Sequence, residues 1–252
     1  MPRACRLGTR PGPGRRTRDR ERRPKLIPTP HRQWLNLAYA ARSSYEQLDL
    51  YLAVPRTAQA EPPGLVVYVH GGGWLEPGNV KANLVSQTFA NALLSAGYAV
   101  ASSRVSSSIK AAIVFYPVIN LLADRAWLSE ISFCTGKYQN PDLPGSAASQ
   151  YLGAPVQTVP GRAMAADPMT YLTPGRPVPK FLIAQGMHDC TVPYQGAIEF
   201  YKALVTFAGP SAAELILEPT AGHFSPPAEV NFNFAELEQP ALKLLRETIG
   251  PG

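Results

Sequence analysis

An α/β fold, with a mostly parallel sheet covered by helices on both faces, follows from three observations in the sequence. Short apolar runs of the kind found in buried parallel strands recur along the chain, several ending in glycine or proline. Segments of helical composition alternate with them, the pattern that places helices on a parallel sheet. The 252 residues are 45% hydrophobic and 17% charged, enough apolar material for one large core and too much for a disordered chain.

The elements are predicted in order. Gln47 to Val54 alternates apolar and polar residues as a half-buried strand does. Leu65 to His70 is a continuous apolar strand running into Gly71, Gly72 and Gly73. Val80 to Ala96 is helical, with Gly97 placed to stop it, and Tyr98 to Ser102 is the next strand. Ala111 to Val118 is another, its end marked by Pro117. Leu121 to Arg176 holds helical pieces and the turn-forming groups NPDLPG and TPGRP, and reads as a cap-like excursion over the sheet. Strand Lys180 to Gln185, helix Tyr194 to Phe207, strand Ala213 to Glu218 and helix Phe234 to Thr248 complete the series.

Charge divides the chain at Arg32. Residues 1–32 carry 11 of the 24 Lys and Arg but 2 of the 18 acidic residues, a formal charge of +9 against −3 for the remainder. This Pro- and Gly-rich segment is expected to be a basic disordered arm, with 33–252 as the folded domain. The arm alone offers a reason to bind nucleic acid, and a solvated tail is the simpler reading, so a nucleic-acid partner is not expected. It lacks the apolar stretch of a secretion signal, and no run approaches the roughly 20 residues of a membrane span, so a cytoplasmic location is expected. Cys5, Cys134 and Cys190 are odd in number and far apart, unlike a zinc site or a disulfide framework, which predicts reduced thiols. No metal or organic cofactor is implied.

Three motifs carry chemistry. His70-Gly71-Gly72-Gly73-Trp74 follows a buried strand; glycines there let backbone N–H groups approach an oxygen that gains charge during acyl transfer, although a plain glycine turn is the alternative. Gln185-Gly186-Met187-His188-Asp189 ends a strand in a loop bearing a carboxylate. Asp189 suits the acid that orients an imidazole, and taken alone would serve equally to cap the helix that begins near Pro193. Ala221-Gly222-His223-Phe224 lies just past a strand, where a histidine reaches the sheet's rim and can shuttle a proton, making His223 the candidate base.

LDLYL, VVYVHGGGW, GYAVAS, KAAIVFYPV, YLGAP, DPMTYLTP, FLIAQGMHDCTVPY and LILEPTAGHF occur in the order found in the α/β-hydrolase superfamily. From Leu35 onward the chain resembles its esterase/lipase branch related to hormone-sensitive lipase and bacterial feruloyl-esterase-like proteins. The resemblance implies an α/β-hydrolase fold and a carboxylic-ester hydrolase working on a small-molecule ester through an acyl-enzyme. Gly72 and Gly73 would be oxyanion donors, Trp74 a candidate wall of the substrate pocket, Asp189 the acid and His223 the base.

One block departs from that pattern. Between GYAVAS and KAAIVFYPV the branch carries a helix, the central strand, a G-x-S-x-G elbow and a second helix, whereas here only Ser103 to Lys110 intervenes. Ser106, Ser107 and Ser108 have bulky or charged neighbours where an elbow needs very small ones. Gly209-Pro210-Ser211-Ala212-Ala213 is a closer imitation but sits between a helix and a strand, not the reverse. The nucleophile is therefore unassigned, and the expected fold lacks its central strand and flanking helices. Impaired or absent turnover follows; a splice or deletion variant, or a pseudoenzyme with a binding role, is the alternative.

Overall fold

A computed structural model describes residues 31–38, 47–54, 63–68, 87–102, 109–136, 138, 140–175, 177–223 and 234–250. The basic arm up to residue 30 and the loop holding Gly72, Gly73 and Trp74 lie outside the described residues. The fold is mixed α/β, with strands β1 (His31–Ala38), β2 (Gln47–Ala53), β3 (Leu65–Tyr68), β4 (Ala99–Ser102), β5 (Ala111–Phe115), β6 (Lys180–Gly186) and β7 (Ala213–Glu218). The helices are α1 (Gln87–Ser95), α2 (Asp124–Glu130), α3 (Ala147–Leu152), α4 (Pro160–Ala166), α5 (Tyr194–Ala208) and α6 (Phe234–Ile249).

The strands form two sheets, of order β1-β2-β4-β3 and β5-β6-β7. β3 pairs parallel with β4, and β5, β6 and β7 are all parallel, while β1 and β2 form an antiparallel edge. Parallel pairing needs a crossover between strands, and α1 between β3 and β4 and α5 between β6 and β7 supply it. Gly97 ends α1 at φ 93°, a left-handed conformation that glycine adopts without steric cost, and its N–H caps the carbonyl of Leu94.

Alternation along β6 sorts the core. Leu182 joins Phe89, Leu93 and Leu94 of α1, Ala241, Leu242 and Leu245 of α6, and Tyr51 and Val100 of the first sheet. Its neighbour Ile183 points the other way, into a cluster with Ile119 and with Ala197, Phe200 and Leu204 of α5. Thus α1 and α6 bridge the two sheets on one face, and the edge-to-face contact of Phe89 and Phe115, ring centroids 6.1 Å apart, is part of that bridge. On β3, Val66 packs into the same cluster, while Leu65 and Val67, on the opposite face, are 53% and 37% exposed.

β1 was not anticipated; its sequence, HRQWLNLA, does not alternate cleanly, and its register with β2 shifts between Trp34 and Leu37. The strand also starts at His31, inside the segment assigned to the arm. The excursion 121–176 resolves into α2, α3 and α4 with short 3₁₀ turns, built around a satellite cluster of Leu121, Ala148, Leu152, Val156 and Ala163. Among the described residues, no helix is long and apolar enough to cross a membrane.

Candidate active site

β6 and β7 run parallel, so the loops at their C-terminal ends leave the sheet side by side, and those loops carry Asp189 and His223. The backbone makes the approach close: His188 N–H donates to the carbonyl of Ala221 (2.9 Å) and Met187 N–H to that of Glu218 (2.9 Å). Gly186 is required here, since a Cβ at that position would collide with the carbonyl of Ala221. His223 Nδ1 consequently lies 2.7 Å from Asp189 Oδ2.

The Asp189 side chain is fully buried, and donors surround it. Thr191 and Val192 N–H both donate to Oδ1 at 2.8 Å, and Gln185 Nε2 donates to Oδ2 at 3.0 Å. With His223, that makes four donors for two oxygens, the coordination that makes a buried ionised carboxylate tenable. An acceptor-only carboxylate requires the proton of His223 to be on Nδ1, which leaves Nε2 as the basic nitrogen. The Thr191 and Val192 bonds hold the turn that leads into α5, whose N-cap is Pro193 and carries no side-chain cap, so Asp189 braces that turn without capping the helix.

Two further residues shape the site without having been singled out as functional. Gln185, the last-but-one residue of β6, is completely buried, and its amide also donates to the carbonyls of Gly186 (3.2 Å) and Val192 (3.1 Å), tying the loop back to the strand. A glutamine closing an otherwise apolar run was the available signal. Tyr116, directly after β5, sets its ring against His223 with centroids 4.7 Å apart and planes at 48°. Burial, and secondarily the charge of Asp189, hold its phenol well above the ordinary tyrosine range, so it is neutral.

The expectation of reduced thiols is corrected for two of the three cysteines. Cys134 and Cys190 form a disulfide across 56 residues of sequence, with Cα atoms 5.2 Å apart. Spacing along the chain could not reveal it, because the excursion brings Cys134 back over the loop after β6. The bridge fastens that excursion to the residue following Asp189, and Phe133 stacks on His188 beside it, centroids 4.1 Å apart.

Ser211 does not join the site. It lies in the turn before β7, whereas His223 follows the strand's other end, and the six residues of β7 put about 20 Å between those ends. Among the described residues, no group of three or more His, Cys, Asp or Glu could hold a metal ion.

Solved structures share this architecture. A truncated carbohydrate esterase from gut microbiota superposes with a TM-score of 0.59 at 16% identity, over 80% of this chain and 92% of its own. Esterase 2 of Thermogutta terrifontis, phosphonylated by sarin, gives 0.56 at 15% identity over 90% and 97%. A bifunctional GH43-CE protein of Bacteroides eggerthii gives 0.61 at 16% identity over 85% of this chain, which spans 38% of that protein's length. The fold is therefore α/β-hydrolase-like, the fold of these esterases. No protein-family model matches the chain, and no curated protein matches its sequence.

Proposed function

We propose that the chain derives from serine-type carboxylic-ester hydrolases of the hormone-sensitive-lipase and feruloyl-esterase-like branch. In this reading Asp189 is the acid, His223 the base, and a small-molecule ester the ancestral substrate. The observation that carries the proposal is the 2.7 Å contact of His223 Nδ1 with a fully buried, four-donor carboxylate where two adjacent parallel strands end. With its proton on Nδ1, facing that carboxylate, His223 would present Nε2 as a proton acceptor, which is what activation of a hydroxyl nucleophile requires. In a complete enzyme, Nε2 would take the serine proton and return it to the leaving alcohol, while N–H groups of Gly72 and Gly73 held the oxyanion.

The nucleophile itself is the missing part. No G-x-S-x-G occurs in the chain, and the interval Ser103 to Lys110 is too short for a strand with two flanking helices. Two structural facts support the loss of that block. The described strands fall into two sheets and not one, with β3 and β5 each at an edge. Leu65 and Val67 are exposed on a face that a parallel strand ordinarily buries under a helix. Loss of a triad nucleophile typically costs on the order of 10⁶-fold in rate, so turnover is expected to be slight or nil.

The same division favours the second reading, a deletion or splice product, or a pseudoenzyme retained for binding. The cytoplasmic location is also part of the proposal, and the Cys134–Cys190 disulfide weighs against it, since such bonds persist mainly in oxidising compartments.

Treatment of the purified protein with a fluorophosphonate probe, read by intact mass, and hydrolysis of a short p-nitrophenyl ester test the reading together. No adduct and no hydrolysis from folded protein are expected. One adduct that disappears in His223→Ala would overturn the loss of the nucleophile and establish a working triad.

A further inference from the structure

A hydrogen bond at Nδ1 fixes one atom of an imidazole but not the plane of its ring, and the ring plane decides where Nε2 points. A second contact on the ring is needed to fix its plane. The ring of Tyr116 lies against it, and the backbone at Tyr116 is unusual: φ is 51°, and among the described residues only Asn120 shares a positive φ without being glycine. Asparagine enters that region readily, whereas a bulky aromatic does so at a steric cost. Pro117, which follows, narrows the choice of backbone conformations further.

What the left-handed turn achieves is direction. Tyr116 N–H still completes the β5–β6 ladder on the carbonyl of Ala184 (3.1 Å), while the ring packs against the cluster of Ala184, Ala221 and Leu237. The ring thereby meets both the cluster that holds Ala221 and the imidazole itself, at 4.7 Å between centroids.

We infer that Tyr116 is a positioning residue for His223, its ring forming the wall that fixes the imidazole plane while Asp189 holds Nδ1–H. The inference rests on the reading of His223 as the base. It assigns the task to the aromatic ring and not to the hydroxyl.

The test follows the Nδ1-bound proton of His223 by NMR in the full chain, with the resonance assigned by its loss in His223→Ala. Its exchange with water and the ¹⁵N shifts of the imidazole are compared in three proteins. Tyr116→Phe keeps the ring and is expected to match the parent. Tyr116→Gly suits the positive φ and removes the ring; exchange at least tenfold faster is expected, with ¹⁵N shifts moving toward a tautomer mixture. If Tyr116→Gly does not fold, Tyr116→Asn, which also tolerates that backbone, is read in its place with the same expectation. A proton as protected in the ring-less variant as in the parent overturns the role of Tyr116 alone. A proton already unprotected in the parent overturns the Asp189–His223 dyad, and the positioning role with it.

Discussion

Gly186 and Ala221 touch backbone to backbone: a Cβ on the glycine would occupy the space taken by the Ala221 carbonyl, two residues before His223. The separation of the acid loop from the base loop is set by that contact, and the hydrogen bond from His188 N–H to the same carbonyl locks it. Gly186→Ala is expected to cost about 1–3 kcal/mol of stability, as overpacking against an unyielding neighbour does. It is also expected to lengthen the Asp189–His223 contact. Urea denaturation measures the first effect and the His223 Nδ1 proton signal the second.

Asp189→Asn retains an oxygen for Thr191 and Val192 N–H but sets an amide NH₂ against Gln185 Nε2 and His223 Nδ1, donor facing donor. The imidazole is expected to switch its proton to Nε2 and accept through Nδ1, the wrong tautomer for a base. The buried donors left poorly paired should cost about 1–3 kcal/mol. Imidazole ¹⁵N shifts that keep the parent pattern would contradict the four-donor description of this carboxylate.

The disulfide predicts a thiol count. Without reductant, iodoacetamide should label only Cys5, and after reduction all three cysteines, as read by intact mass. Reduction should lower stability by about 2–4 kcal/mol, near the upper end because the bridge closes a long loop. Thermal melting with and without reductant checks it, and Cys134→Ser should reproduce the reduced protein.

Asp124, at the start of α2, is buried and raised to about 7, first by desolvation and then by Asp142 and Asp167. Its Oδ1 has no hydrogen-bond partner among the described residues. Because the folded-state value lies above the unfolded one, near 3.8, the folded protein holds the extra proton. Its contribution is complete below that value and is lost as pH rises through about 7. Asp124→Asn should therefore gain stability relative to the parent with rising pH, by up to about 4 kcal/mol at pH 8–9. Denaturation curves at pH 5, 7 and 9 give the slope; a difference independent of pH would sink the assignment.

Most elements were legible because their periodicity is local. The runs at Leu65, Tyr98, Lys180 and Ala213, and the helices from Tyr194 and Phe234, stand within a few residues of where the sequence places them. Burial on both faces of a parallel strand leaves a continuous apolar signature, and glycine or proline marks its end. β1 escaped because an edge strand with a register shift has no such signature, while the helical pieces expected in the excursion are present as α2, α3 and α4, whose bounds were not legible.

Asp189 and His223 could be proposed from the chain because each follows a strand in a recognisable motif, and the absence of G-x-S-x-G is a fact of the sequence itself. Their meeting could not, since 34 residues separate them and only the parallel register of β6 and β7 brings their loops together. The same holds for the Cys134–Cys190 bridge and for the ring of Tyr116 against His223. Each is a contact between segments remote along the chain. Local composition determines which strand or helix a segment becomes, whereas packing in three dimensions decides which side chains share a site.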